Sequence, residues 1–239
     1  MTDWFEEWSG EEYLALYPHR DEDEARRVAE FIASRVEVAQ GAPALDLGCG
    51  GGRHARELAE RWWTVGLDLS PALLRVARAE DRGAPLVRSD MRELPFRDGA
   101  FSLVANLFTS FGYFREDVQS RRVVAEVSRV TAQGGWFVLD YLNAAHVRST
   151  LVAYDERRVG SHVIEQEREI SADGRFVRKT ITLSEEGRTF VERVRLFEPA
   201  ELAAMLEACD FLVTDVLGDY LGSEISMTTP RTIVVGCRQ

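Results

Sequence analysis

Apolar residues along this chain follow two rhythms, one helical and one strand-like, and the order in which they alternate sets the expected fold. From Asp21 onward, Ala25, Val28, Ala29, Ile32 and Val36 recur at helical spacing, and Asp21 with Glu24 three residues later reads as a capping box. This predicts an N-terminal helix ahead of the main fold. From Ala44 to Val104, short apolar runs alternate with helix-period segments, the order of βαβ units. The run Ala44 to Leu47 leads through glycines into a helix carrying Ala55, Leu58 and Ala59. Thr64 to Asp68 is the second strand, and Ser70-Pro71 opens the next helix with a cap residue and a proline at its first position. Pro85 to Arg88 and Phe101 to Leu107 are the third and fourth strands. A helix with Val123, Val127 and Val130 precedes a fifth strand, Trp136 to Asp140.

The rhythm changes after that strand. Residues 156–197 alternate like strands, broken by Asp173-Gly174 and Glu186-Gly187, two hairpin turn signals, which predicts a three-stranded antiparallel insertion. Val177, Ile181 and Leu183 share one face of its middle strand, and Phe190, Val194 and Leu196 one face of its last, so one side packs and the other is wet. Pro199 then opens a helix with Leu202, Met205, Leu206 and Cys209 inward, followed by strands at Phe211 to Leu217 and Arg231 to Cys237. The expected fold is α/β: a doubly wound, Rossmann-like seven-stranded sheet with helices on both faces, plus a small antiparallel β insertion. The expected division is an aromatic arm and helix at 1–40, a core at 41–155 and 198–239, and the insertion at 156–197.

Composition narrows the function. Of 239 residues, 29 are Lys or Arg and 40 are Asp or Glu, a formal net charge of −11 that repels the phosphate backbone and argues against nucleic acid as partner. No run approaches the roughly 18 consecutive apolar residues of a membrane helix, and the first residues are acidic where a targeting peptide is basic. A cytoplasmic protein with no membrane partner is expected. Cys49, Cys209 and Cys237 are widely separated and have no Cys-x-x-Cys or His at ligand spacing, which points to reduced thiols and no metal site. Trp4, Phe5, Trp8, Tyr13 and Tyr17 make an aromatic arm that must cover something apolar.

The chemistry concentrates in Ala44-Leu45-Asp46-Leu47-Gly48-Cys49-Gly50-Gly51-Gly52-Arg53-His54-Ala55. Gly48, Gly50 and Gly52 permit positive φ and remove side chains that would block a ligand lying over the strand-to-helix turn. Asp46 adds a negative charge there, which repels a pyrophosphate and attracts an ammonium, so the turn favours a cationic cofactor. Asp68 lies 22 residues on, at the end of the second strand, where doubly wound folds place a carboxylate on ribose hydroxyls. A third carboxylate, Asp90, follows the third strand and can accept from an adenine amino group while Met91 packs on the ring.

This ordered set resembles the class I S-adenosylmethionine-dependent methyltransferases over roughly residues 41–140. The resemblance implies S-adenosyl-L-methionine as cofactor, with Asp46 and the Gly48, Gly50, Gly52 turn at its methionyl end. It implies Asp68 and Leu69 at the ribose, Ser89, Asp90 and Met91 at the adenine, and Leu107 with Phe108 bordering the sulfonium. In related enzymes the N-terminal arm folds over the cofactor and presents an arginine to its carboxylate, a role Arg20 can fill. Asn106-Leu107-Phe108-Thr109-Ser110-Phe111-Gly112-Tyr113 and the insertion resemble the small-molecule branch that includes amino-sugar N-methyltransferases. The Asn/Asp-Pro-Pro-Tyr/Phe motif of many nucleobase amino-methyltransferases is missing. Expected chemistry is in-line methyl transfer to a small-molecule amine or hydroxyl, leaning to amine. Tyr17, His19, Tyr113 and Tyr141 are the candidate polar contacts, and the insertion with Tyr220 and Ser223 of the Gly218 to Pro230 loop lies at the acceptor end. Two alternatives remain at this stage. A nicotinamide-dependent oxidoreductase would use the same turn and Asp68, and a non-catalytic S-adenosylmethionine-binding protein would keep the site without turnover.

Overall fold

The computed structural model describes residues 22–80, 84–159, 162–183 and 187–239. Asp21, and with it the expected capping box, lies outside these residues. In chain order, α1 (Glu22–Arg35) leads into β1 (Pro43–Leu47), α2 (Arg53–Ala59), β2 (Trp63–Asp68), α3 (Pro71–Ala79), β3 (Leu86–Arg88) and β4 (Phe101–Asn106). A 3₁₀ turn (Ser110–Tyr113), α4 (Asp117–Val130), β5 (Thr131–Leu142) and α5 (Ala144–Thr150) follow. Then come β6 (Tyr154–Val159), β7 (His162–Ile170), β8 (Phe176–Leu183), β9 (Arg188–Arg195), α6 (Pro199–Glu207), β10 (Phe211–Leu217) and β11 (Arg231–Arg238).

Seven strands form one sheet in the order β10-β11-β5-β4-β1-β2-β3. Strands β1 to β5 pair in parallel, and β11 enters antiparallel to both β5 and β10. Period-two alternation divides the core between the two faces. Ala44, Leu103, Ala105, Val138, Ile233 and Val235 pack with Val28, Phe31 and Ile32 of α1 and Leu58 of α2. Their neighbours Leu45, Leu47, Val104, Phe137, Leu139 and Val234 pack with Val123 and Val127 of α4 and Leu202 and Leu206 of α6. Helices therefore cover both faces, as the sequence pattern predicts. Chain order reverses between β1 and β4, which opens a crevice at their C-terminal ends.

The insertion departs from expectation: its sheet has four strands in the order β6-β7-β8-β9, all antiparallel, and begins at Tyr154. The extra strand reads Tyr-Asp-Glu-Arg-Arg-Val, whose four consecutive charges hide the alternation. Burial follows the expected face, with Ile181 and Leu183 buried and Thr182 between them half-exposed. Arg195, at the end of β9, anchors this sheet to the body. Its buried guanidinium pairs with Asp117 at 3.2 Å and Glu201 at 2.9 Å and lies 4.5 Å from the Phe197 ring centroid. Strand β5 is longer than Trp136 to Asp140 because the chain passes directly from the last residue of α4 into it. Helix α6 stops at Glu207, so Cys209 packs against the core from the turn beyond. Among the described residues no helix is long and apolar enough to cross a membrane.

Candidate active site

Asp46 is the next-to-last residue of β1 and only 1% exposed. Burial, then the neighbouring charge of Asp68, push its carboxyl up to about 7, against the pull of the Ala55 amide and the Arg53 guanidinium. Its Oδ2 is buried with no hydrogen-bond partner. A buried carboxylate oxygen without a donor is costly, and a cationic donor is the chemistry that could satisfy it. The turn that follows holds Gly48, Gly50 and Gly52 at φ of 78°, 54° and 80°. A Cβ on Gly48 would stand 2.8 Å from Cβ of Ser110, and one on Gly52 3.0 Å from Cβ of Ala77. Two of the three glycines thus make room for the protein's own neighbouring turn and helix, a packing reason that the ligand-approach reading did not contain.

Asp68 closes this turn onto β2. Its Oδ2 accepts the Gly50 amide and its Oδ1 the Ser70 amide, both at 2.8 Å. Burial raises its pKa, although these amides and that of Leu69 favour the ionised form. Three amides thus occupy most of the lone pairs of this carboxylate. Ser70 caps α3, its hydroxyl accepting the Leu73 amide at 3.2 Å, and Pro71 follows at the first helical position. The half-buried Leu69 offers its carbonyl to Arg88 at 3.1 Å.

Asp90 is not the open acceptor that the sequence suggests. Arg92 donates to both of its oxygens, Nε at 3.0 Å to each and Nη2 at 2.6 Å to Oδ2, and the Arg92 amide adds a bond at 2.8 Å. Burial works to raise the Asp90 pKa, and Arg92 overcomes it and holds the carboxyl low. Arg92 thus takes up both oxygens of this carboxylate. Ser89 turns its hydroxyl to the Glu93 carbonyl at 3.1 Å, and half-buried Met91 packs against the core.

Strand β4 ends beside β1 at Asn106, one residue short of the Leu107 read from the sequence, and Leu107 and Phe108 follow it. Asn106 is fully buried and donates to the Leu47 carbonyl at 2.6 Å, so β4 is stitched to the base of the glycine turn. Leu107 is buried. Phe108 and Thr109 both have positive φ, 55° and 70°. The Arg53 guanidinium lies 4.2 Å from the Phe108 ring centroid and that of Arg231 5.0 Å, while the His54 ring centroid is 5.0 Å away. Arg53 also pairs with Glu24 of α1 at 2.8 Å.

Behind this step stands a constellation that the sequence reading passed over. Asp140, at the end of β5 and fully buried, accepts from Arg231 Nε at 2.6 Å, from the Tyr220 hydroxyl at 2.6 Å and from the Phe108 amide at 3.0 Å. Burial and then the Asp140 charge drive the Tyr220 pKa far upward, so its hydroxyl keeps its proton and donates. A lone carboxylate closing the apolar run Trp-Phe-Val-Leu-Asp was the available signal. The sequence pattern shows Tyr220 on its loop and Asp140 and Arg231 only as strand limits. Ser223 donates its amide to Asp219 at 3.0 Å and shapes that loop.

Of the candidate polar contacts, Tyr17 and His19, like Arg20, lie outside the described residues. Tyr113 is half-buried in the 3₁₀ turn. Tyr141 is corrected: it is fully buried, its hydroxyl donates to the Arg195 carbonyl at 2.5 Å, and burial pushes its pKa far upward. It fastens the β9 end to β5 and presents no free hydroxyl to a substrate.

The fold brings Asp46, Asp68 and Asp90 to the C-terminal ends of β1, β2 and β3, beside the switch point of a doubly wound sheet. Comparison with known proteins gives the class. Residues 44–135 match a family described as a methyltransferase domain. A dTDP-3-amino-3,4,6-trideoxy-α-D-glucopyranose N,N-dimethyltransferase of Streptomyces venezuelae is 30% identical over 232 residues, 91% of this chain and 96% of the relative. The chain belongs to the class I S-adenosylmethionine-dependent methyltransferases and is similar to their sugar N-methyltransferase members. A solved amino pentose methyltransferase from Micromonospora echinaspora, with S-adenosylmethionine bound, is 27% identical with a TM-score of 0.70, covering 95% of this chain and 96% of that one. A methyltransferase from Clostridium acetobutylicum shares the fold at a TM-score of 0.80, with 18% identity over 95% of this chain and 96% of that one. The enzyme is a methyltransferase that uses S-adenosylmethionine, and nothing favours the nicotinamide or the non-catalytic alternative.

Proposed function

We propose that this enzyme methylates the amine of a small molecule, an amino sugar being the class to which its relatives point. The observation that carries the cofactor end is the orphaned Oδ2 of buried Asp46, which fits the ammonium of the methionyl group. In this reading the glycine turn receives the methionyl chain and Arg20 its carboxylate. Asp68 and Leu69 border the ribose, and Ser89, Asp90 and Met91 border the adenine. Leu107 and Phe108 face the sulfonium. The cofactor supplies a methyl group on a positively charged sulfur, whose charge disappears as the acceptor attacks in line. The protein's part is to hold donor and acceptor collinear and dry, which replaces much of the entropic barrier of a bimolecular encounter. An amine needs only to be neutral, so no strong base is required, and Tyr17, His19 and Tyr113 act as orienting contacts. The four-stranded sheet of residues 154–195, in place of the 156–197 read from the sequence, forms the wall of the acceptor pocket in a cytoplasmic enzyme.

Calorimetric titration with S-adenosylmethionine and S-adenosylhomocysteine, with NADH as control, tests the first half. A mass-spectrometric screen of dTDP-3-amino sugars against sugar hydroxyls and phenols tests the second. Methylation of phenols or sugar hydroxyls with no turnover of any amine would overturn the acceptor class.

A further inference from the structure

We infer that Tyr220 is a positioning residue of the methyl-transfer site, acting through Asp140 on the Phe108–Thr109 step; the inference rests on the methyltransferase reading above. Two consecutive non-glycine residues with positive φ, 55° and 70°, are uncommon, and such a conformation persists only where its surroundings over-determine it. Here one residue accepts both amides of the step. The Asp140 carboxylate takes the Phe108 amide at 3.0 Å, and the Asp140 carbonyl takes the Thr109 amide at 3.2 Å. The carboxylate is itself fixed by two short charge-assisted bonds, the Tyr220 hydroxyl at 2.6 Å on Oδ2 and Arg231 Nε at 2.6 Å on Oδ1. Tyr220 and the Phe108 amide share Oδ2, so movement of the tyrosine is felt directly at the step.

The step in turn meets the cofactor turn. Ser110, next along the chain, abuts Gly48 so closely that a Cβ there would clash with it. Tyr220 stands outside the sheet, on the loop joining β10 to β11, and its ring meets Phe31 of α1 edge-on at 5.6 Å. A tyrosine on a surface connection thereby reports the seating of α1 and of that loop to the residue beside the transferred methyl group. Removing its hydroxyl leaves Asp140 with Arg231 and the Phe108 amide and keeps the ring against Phe31, so Tyr220→Phe is built to fold.

The test uses S-adenosylmethionine labelled with ¹³C at the methyl group and needs no acceptor. Wild-type protein, Tyr220→Phe and Arg231→Lys, which loosens the same carboxylate from its other side, are each titrated calorimetrically and examined by NMR. Expected for Tyr220→Phe are a cofactor affinity within about twofold of wild type and a bound-methyl resonance displaced by more than its linewidth, because the Phe108 ring has shifted. Arg231→Lys moves the same resonance. An unmoved methyl resonance in Tyr220→Phe overturns the inference while leaving the methyltransferase reading intact, whatever Arg231→Lys does, because the Arg231 guanidinium also lies over the Phe108 ring. Failure of the wild type to bind the cofactor overturns that reading and the inference with it.

Discussion

Asp68 on β2 raises the cost of ionising Asp46 on the neighbouring strand β1: its charge is second only to burial in holding the Asp46 carboxyl up at about 7. Asp68 spends its two oxygens on the Gly50 and Ser70 amides, whereas one oxygen of Asp46 has no partner. The pair thus differs in role, one carboxylate shaping the turn and the other keeping a buried oxygen unpaired.

Cofactor affinity is expected to depend on this titration. Above pH 7 Asp46 is ionised and attracts the methionyl ammonium; below it the carboxyl is protonated, and affinity falls by about tenfold per pH unit. Titration across pH 5.5 to 8.5 measures the slope, with 5′-methylthioadenosine, which lacks the amino-acid end, as the ligand whose affinity stays flat. Equal slopes for both ligands would remove Asp46 from the ammonium.

The same shift gives a stability prediction of opposite sense. A carboxyl whose folded value is raised from 3.8 to about 7 destabilises the fold when ionised; the cost is absent below the unfolded value and complete above the folded one. Asp46→Asn removes it and is expected to stabilise the unliganded protein at pH 8 by on the order of 2–4 kcal/mol, with the gain shrinking toward pH 4. Cofactor binding is lost in the same variant. Chemical denaturation at both pH values decides, and a variant less stable than wild type at pH 8 would show that Asp46 is paired in a way the structure does not contain.

Gly48 and Gly50 separate crowding from backbone strain. Both have positive φ, but a Cβ on Gly48 meets Ser110 at 2.8 Å, while one on Gly50 finds nothing closer than Leu73 at 3.9 Å. Gly50→Ala should cost roughly 1 kcal/mol, from φ alone, and Gly48→Ala at least twice that. Equal losses in thermal melts would mean that Ser110 moves aside freely.

Periodicity carried most of the core into view, because the strands alternate between two helix-covered faces and the glycine turn needs residues that little else can replace. Ser70 and Pro71 announced α3, and Asp46 and Asp68 were found by their distance along the chain. Three features resisted. Strand β6 is masked by its own charges. Arg92, which occupies Asp90, is visible only once the turn after β3 is folded. The Asp140 cluster draws on residues 108, 140, 220 and 231, which meet only because β11 inserts antiparallel beside β5. Sequence spacing reports neighbours along a helix or strand; it does not report what a crossing strand brings from ninety residues away.

Tyr141 shows how burial turns a catalytic candidate into a structural one. Its hydroxyl donates to the Arg195 carbonyl at 2.5 Å, its ring packs with Phe111 and Phe197, and Gly112 lies so close that any side chain there would collide with the phenol oxygen. The bond joins β5 to the end of β9, where Arg195 also grips Asp117 and Glu201. Tyr141→Phe leaves the ring in place and a buried carbonyl unpaired, so a loss of about 1–3 kcal/mol in stability is expected. Cofactor affinity, being set at the ends of β1 to β4, should stay within about twofold of wild type. Thermal melts read beside calorimetric titration separate the effects. If Tyr141→Phe keeps its melting temperature and yet abolishes methyl transfer, the phenol acts on substrate and the structural assignment fails.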